Sequence, residues 1–308
     1  MSVIDPYAPN HIKIHPTDYV EATISNSAYA TQHNRRNTSY YYDSQTETAY
    51  PSSKKTIEPI DWNEVIPDST PPEPIPRELK PYNLALGSYT HQIITGEKSP
   101  TKPTKINPYT LPAGITYTDI LETLAETHSD MDPLDEIDVA TIDDDASYSK
   151  LRRQMFDDYS TAKQLWQTAL EELNICVLQR EPKLTHEINE KLGYGCEPDT
   201  IATANPPTAE AGLYAAEIKV TARNITEKDK CQAEMQRRAI QPIIETDAEA
   251  HAMVIQLDPI EEEYSYATSQ DGMWYTDDYR YWFDRRLRHR YREEGIAILM
   301  NEIAREHV

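Results

Sequence analysis

The sequence predicts a mainly α protein with extensive irregular and extended segments. A long Pro/Tyr-rich N-terminal arm (1–115) precedes a small acidic helical body (116–270) and an amphipathic C-terminal helix (271–308). Three observations predict this. Fifteen of the 22 prolines fall in the first 115 residues, and the middle region carries 13 Lys and Arg against 32 Asp and Glu, a net of −19, together with helical periodicity. The last region ends in apolar residues recurring every four positions. With 38% hydrophobic residues, a mean hydropathy of −0.72 and more Pro (22) than Gly (8), the composition argues against one globule filling all 308 residues.

The arm is densest in proline at PDSTPPEPIPRELKP, residues 67–81. Proline fixes φ, removes a backbone donor and biases its predecessor away from helix, so an extended, polyproline-like chain is expected. Its charge nearly cancels, 10 Lys and Arg against 12 Asp and Glu, yet it carries ten Tyr and Trp62. Rings spaced along a stiffened chain suit a docking arm, each filling a pocket on a partner while proline lowers the ordering cost. Tyr7, Trp62, Tyr82 and Tyr109 are the expected anchors.

In the acidic body, Thr118 is the expected cap of a short helix through ILETLAETH, followed by an acidic loop over 129–145. Met155, Tyr159, Ala162, Trp166, Ala169, Leu173 and Cys176 then follow 4-3-4-3-4-3 spacing, a packing seam on a helix of about thirty residues. Leu165, Leu170 and Val177 widen that stripe, which favours a bundle over a free coiled coil. A short helix is expected from Thr185 to Leu192, stopped by Gly193, then a loop over 193–213. AAEIKVTAR (215–223) alternates Ile218 and Val220 with Glu217, Lys219 and Thr221, a strand pattern in need of a partner. Thr226 and Asp229 form a capping-box pattern opening a helix that Pro242 closes, and a further helix is expected from about Asp247 to Leu257.

The C-terminal helix carries YWFDRRLRHRYREEG (281–295), with five arginines among four aromatics. Arg285, Arg288 and Arg292 share one stripe beside Phe283, Leu287 and Tyr291. Such a helix grips phosphate or clamps carboxylates. Asp284, Glu293 and Glu294 lie at pairing distance along the helix, and the chain's net charge of −22 opposes polyphosphate, so the clamp is favoured. Trp282, Phe283, Arg285, Arg288 and Arg292 complete the expected partner-binding set.

No GxGxxG or GxxxxGK[ST] string, CxxC pair, HExxH or Gly-x-Ser-x-Gly motif occurs, so no catalytic residue, cofactor or metal is expected. Cys176, Cys196 and Cys231 are odd in number and widely spaced, which fits a reducing compartment; no signal peptide, or apolar run long enough for a span, is apparent. Taken together, these features predict a non-enzymatic structural or assembly protein, intracellular or in a virion, for example a minor virus or phage component. It would lie along and clamp neighbouring protein subunits, including copies of itself. The alternatives are a nucleic-acid-associated protein using the C-terminal Arg/aromatic helix, and an acidic mimic of nucleic acid.

Overall fold

A computed structural model describes residues 30–34, 37–43, 48–51, 75–94, 111–127, 144–189, 192–221, 223–244, 249–270 and 285. Three helices come first: α1 (Lys80–Ile94), α2 (Tyr117–Thr127) and α3 (Asp144–Glu172). The proline density before α1 does not prevent it. Pro81 sits in the first turn, where a missing N–H costs nothing, and Tyr82, Leu86 and Tyr89 then recur at helical spacing and are buried. Helix α2 is capped by Thr116, two residues before the expected Thr118. The Thr116 hydroxyl accepts from the Asp119 N–H (3.1 Å), and the Asp119 carboxylate accepts from the Thr116 N–H (2.7 Å).

The 29-residue α3 carries the predicted seam. Leu151, Met155 and Tyr159 pack against α1 and α2, whereas Leu165, Trp166, Ala169 and Leu173 turn toward a sheet. The helix ends where Asn174 adopts φ 50° and the Ile175 N–H reaches back to the Leu170 carbonyl at 2.8 Å, a Schellman-type stop. Cys176, the last seam position, lies beyond that stop on a strand and is exposed.

The expectation of a mainly helical protein is overturned by that sheet. Its strands are β4 (Cys176–Arg180), β7 (Thr200–Ala204), β8 (Gly212–Val220), β9 (Ala250–Asp258) and β10 (Glu263–Thr268), in the order β10-β9-β8-β7-β4. All pairs are antiparallel except β8 with β9, which are parallel and joined through α4 (Glu227–Ile240). A hairpin, β5 (Leu184–Asn189) and β6 (Leu192–Cys196), is inserted between β4 and β7. A separate three-stranded antiparallel sheet comprises β1 (Ala30–Asn34), β2 (Asn37–Asp43) and β3 (Thr48–Pro51).

The five-stranded sheet is covered on both faces. Leu213 and Ala215 of β8 meet Cys231, Met235, Ala239 and Ile240 of α4, while Tyr214, Ala216 and Ile218 meet α3. On β9, Ala252 and Val254 face Ala233 of α4; Met253, Ile255 and Leu257 face the α3 side. Double coverage explains two of the three misassigned segments; the third, 185–192, falls in the separate β5–β6 hairpin. Of the residues expected helical at 185–192, 185–189 lie in β5 and Leu192 starts β6; the expected loop at 193–213 holds most of β6, β7 and the start of β8; and in the expected helix at 247–257, residues 250–257 lie in β9. A strand apolar on both faces loses the period-two alternation that marks a half-buried one. The capping box at Thr226 and Asp229 is present, and Pro242 lies in the 3₁₀ turn Gln241–Ile243 that ends α4. Among the described residues, no helix is long and apolar enough to cross a membrane.

One ionisable group is enclosed between helices. Asp158 of α3 is 3% exposed and accepts from the Tyr82 hydroxyl (2.5 Å) and the Gln154 amide (2.7 Å). Burial outweighs both bonds and lifts its pKa to about 6. The folded state therefore holds a proton that the unfolded chain releases near pH 4, and stability falls as pH rises from about 4 through 6. Urea unfolding at pH 4.5 and 7.5 should show wild type losing roughly 2 kcal/mol relative to D158N across that interval. A parallel pH response in both proteins would contradict this account.

Candidate active site

Of the residues expected to bind partners, Tyr7, Trp62, Tyr109, Trp282, Phe283, Arg288 and Arg292 lie outside the described residues. Tyr82 is 1% exposed, in the core between α1 and α3. Arg285 is helical and exposed. The seam residues Met155, Tyr159, Ala162, Trp166 and Ala169 are buried along α3, with Leu173 buried just beyond it.

A different set of side chains converges at the end of β8. Thr200 of β7 pairs with Ala216 of β8. One residue further along each strand stand Asp199 and Glu217. Asp199 Oδ2 accepts from the Ile218 backbone N–H at 2.6 Å, which pins the carboxylate against β8. Glu217 is 4% exposed on the α4 face, two residues beyond Ala215 on the same side of the strand.

Helix α4 answers this buried charge. Gln232 and Gln236, four residues apart and so on one helix face, donate to Glu217 Oε1 and Oε2, each at 2.6 Å. Lys219, the next residue on that face of β8, donates to Glu217 Oε1 at 2.6 Å and to Gln232 Oε1 at 3.3 Å. Its ammonium also lies 3.9 Å from Asp229, whose carboxylate accepts from Arg223 and caps α4 through Thr226. Burial, reinforced by Asp199, raises the Glu217 pKa above the carboxylate norm. Burial opposes the charge on Lys219, but Glu217 and Asp229 overcome it and raise its pKa. Gln236 is 1% exposed, and its Oε1 has no hydrogen-bond partner among the described residues.

The last turn of α1 contributes His91. Its Nε2 lies 2.6 Å from Asp199 Oδ1 and its Nδ1 3.1 Å from Glu181 Oε1. The hydrogen bond to Asp199 raises the His91 pKa to about 9, against the opposing effect of burial. Glu197 borders the group, and burial raises its pKa although Lys183 draws it down. Among the described residues, no three His, Cys, Asp or Glu side chains already stand arranged around a metal position. What the site offers is a carboxylate pair on adjoining strands, one ammonium between carboxylates and one imidazole at the rim. Divalent magnesium is commonly held by one or two carboxylates with waters and substrate phosphate supplying the rest, so this donor set fits such an ion.

The sequence expectations include none of these residues as site residues. Two local signals were present: Asp199 at the entry to a strand, and an acidic and a basic residue, Glu217 and Lys219, flanking Ile218 on an otherwise apolar strand face. No family model matches the chain, and no curated protein matches it.

The ion pair can be tested for its energetic weight. K219M leaves Glu217 buried without its cation and should lower stability by about 3 kcal/mol, while E217Q/K219M should recover most of that loss. In the double variant Gln236 can rotate its amide and present Oε1 to the side-chain N–H introduced at position 217. Chemical denaturation of the two variants provides the comparison; an unaltered K219M would show that Glu217 and Lys219 do not interact as described.

Proposed function

We propose that the chain is a divalent-metal-dependent phosphodiesterase acting on nucleic acid. The observation that carries this reading is the meeting of Asp199 and Glu217 on neighbouring strands, with Lys219 on the same strand face as Glu217. Carboxylates on one side of an ion and a phosphate on the other satisfy magnesium chemistry, and a cation beside them suits a phosphoryl centre. The ion, when bound, supplies neutralisation of the phosphate charge and polarisation of the attacking water.

The chain's residues have separate tasks in that reaction. Asp199 uses Oδ2 to hold the Ile218 N–H and Oδ1 to meet His91 Nε2 at 2.6 Å, so Oδ1 would turn to an ion only once the proton shared with His91 has left. Glu217 is fixed through both oxygens by the two amides of α4; Oε1 also accepts from Lys219, so Oε2 is the oxygen that would keep a lone pair for the ion. Lys219 carries a fixed positive charge next to the carboxylates, where it stabilises negative charge that builds on phosphate oxygens in the transition state. His91 pairs with Asp199 when protonated and, once neutral, offers Nε2 to the ion in the proton's place.

A network serving only to fasten α4 to β8 would account for Glu217, Lys219 and the glutamines. It would not account for His91, which comes from α1. This proposal replaces the expected non-enzymatic assembly role, most of whose anchor residues lie outside the described residues. It joins instead the alternative nucleic-acid expectation, in which the Arg-rich segment 281–295 grips phosphate.

The direct test is incubation of purified chain with linear and circular DNA and with RNA, in Mg²⁺ or Mn²⁺ and again in EDTA. Cleavage should require the metal and fall at least ~10²-fold in D199N and K219A. The reading is lost if no nucleic acid is cut, or if either folded variant cuts as wild type does.

A further inference from the structure

Glu181 stands out for its backbone. It follows β4 and adopts φ 47°, in the left-handed region that residues with a Cβ seldom occupy. The next residue is Pro182, and a residue before proline is pushed toward extended φ near −120°. Glycine would suit this position on both counts. The conformation is locked by the Glu181 N–H, which donates to the Asp199 carbonyl at 3.1 Å, so the strained residue is tied to the same residue that supplies the site's first carboxylate. Backbone strain of this kind concentrates at functional sites, where the surrounding structure holds it.

The side chain supplies the reason to keep a glutamate there. Its Oε1 lies 3.1 Å from His91 Nδ1, and His91 Nε2 lies 2.6 Å from Asp199 Oδ1. An imidazole that binds a metal through one nitrogen characteristically donates its other N–H to a carboxylate, which fixes both ring orientation and tautomer. We infer that Glu181 is a positioning residue that holds the His91 Nδ1–H and thereby turns Nε2 toward Asp199 and the proposed ion. The inference rests on the phosphodiesterase reading of the Asp199–Glu217 site. It extends that site to the β4 end of the sheet and assigns the left-handed backbone at Glu181 a purpose.

Two substitutions separate orientation from mere folding. E181G keeps the backbone N–H and accommodates φ 47° but removes the carboxylate; E181Q keeps an oxygen that can accept from Nδ1–H. Calorimetric titration of the full chain with Mn²⁺ alone, without substrate, measures the ion directly, and thermal unfolding measures the fold. E181G should bind Mn²⁺ ~10- to 100-fold more weakly than wild type while its Tm stays within ~2 °C or rises, and E181Q should bind within ~3-fold of wild type. Equal Mn²⁺ affinity in E181G and wild type overturns the role of Glu181 and leaves the phosphodiesterase reading standing, provided D199N has lost the ion. So does an E181G whose Tm collapses, if E181Q collapses with it, because Glu181 then serves the fold. Wild type that neither binds Mn²⁺ nor cuts nucleic acid overturns both readings.

Discussion

The buried carboxylate of Glu217 is the constraint on which the rest of the arrangement depends. Strand β8 lies at the centre of the sheet with helices over both faces, so a charge on its α4 side is largely withdrawn from bulk water. Removing a carboxylate from water costs several kcal/mol unless it is paired and hydrogen-bonded. Helix α4 meets that demand with two amides, and β8 itself meets it with Lys219. The position of α4 is therefore set by polar geometry as well as by apolar packing. Cys231, Met235 and Ala239 fix its distance from the sheet, and Gln232 and Gln236 fix its rotation and register.

The capping box extends this chain of dependence to the start of α4. Asp229 caps the helix through Thr226, accepts from Arg223 and lies within ion-pair distance of Lys219. One carboxylate thus sets where the helix begins and contributes to the field that keeps the lysine charged. On the opposite side of the sheet, α3 buries one stripe against two different surfaces: α1 and α2 above, strands β8 and β9 below. Because α1 is seated on α3, the last turn of α1 brings His91 to the β7 end of the sheet, and a residue 108 positions away from Asp199 reaches it at 2.6 Å.

The helices were legible in the sequence for a physical reason. A helix buries one stripe, and a stripe leaves a spacing that survives in the one-dimensional record: Met155 to Leu173 in α3, and the Thr226–Asp229 cap before α4. The strands were harder to recognise because the sheet is covered twice. TIATA of β7 is buried at every position, and AHAMVIQLD of β9 is apolar on both faces, so neither alternates. Within β8, Glu217 and Lys219 alternate with Ile218 and Val220 in the pattern of a half-exposed strand. The pattern correctly identified a strand but suggested that its charged face met water. Recognising the site required knowing that α4 covers that face, and that coverage comes from the parallel β8–β9 pairing, a tertiary fact absent from local spacing.

The net charge of −22 sits awkwardly with a phosphodiester substrate, and the length scales of electrostatics resolve the difficulty. Repulsion between an acidic body and a polyanion acts through solvent and decays over about 8 Å at physiological ionic strength. The charges that bear on a scissile phosphate act at about 4 Å in a partly desolvated site, where screening by salt is weak and each charge counts more. At that range the carboxylates would become assets to the proposed activity, since they would recruit a divalent cation whose charge offsets that of the phosphate. Under the proposed function, acidity of the body would govern how often a nucleic acid arrives, whereas Asp199, Glu217 and Lys219 would govern what happens once it is in contact. Overall composition therefore does not exclude the proposed activity. What it disfavours is tight non-specific binding along the surface, so the proposed activity would rely on contacts made at the Asp199–Glu217 site.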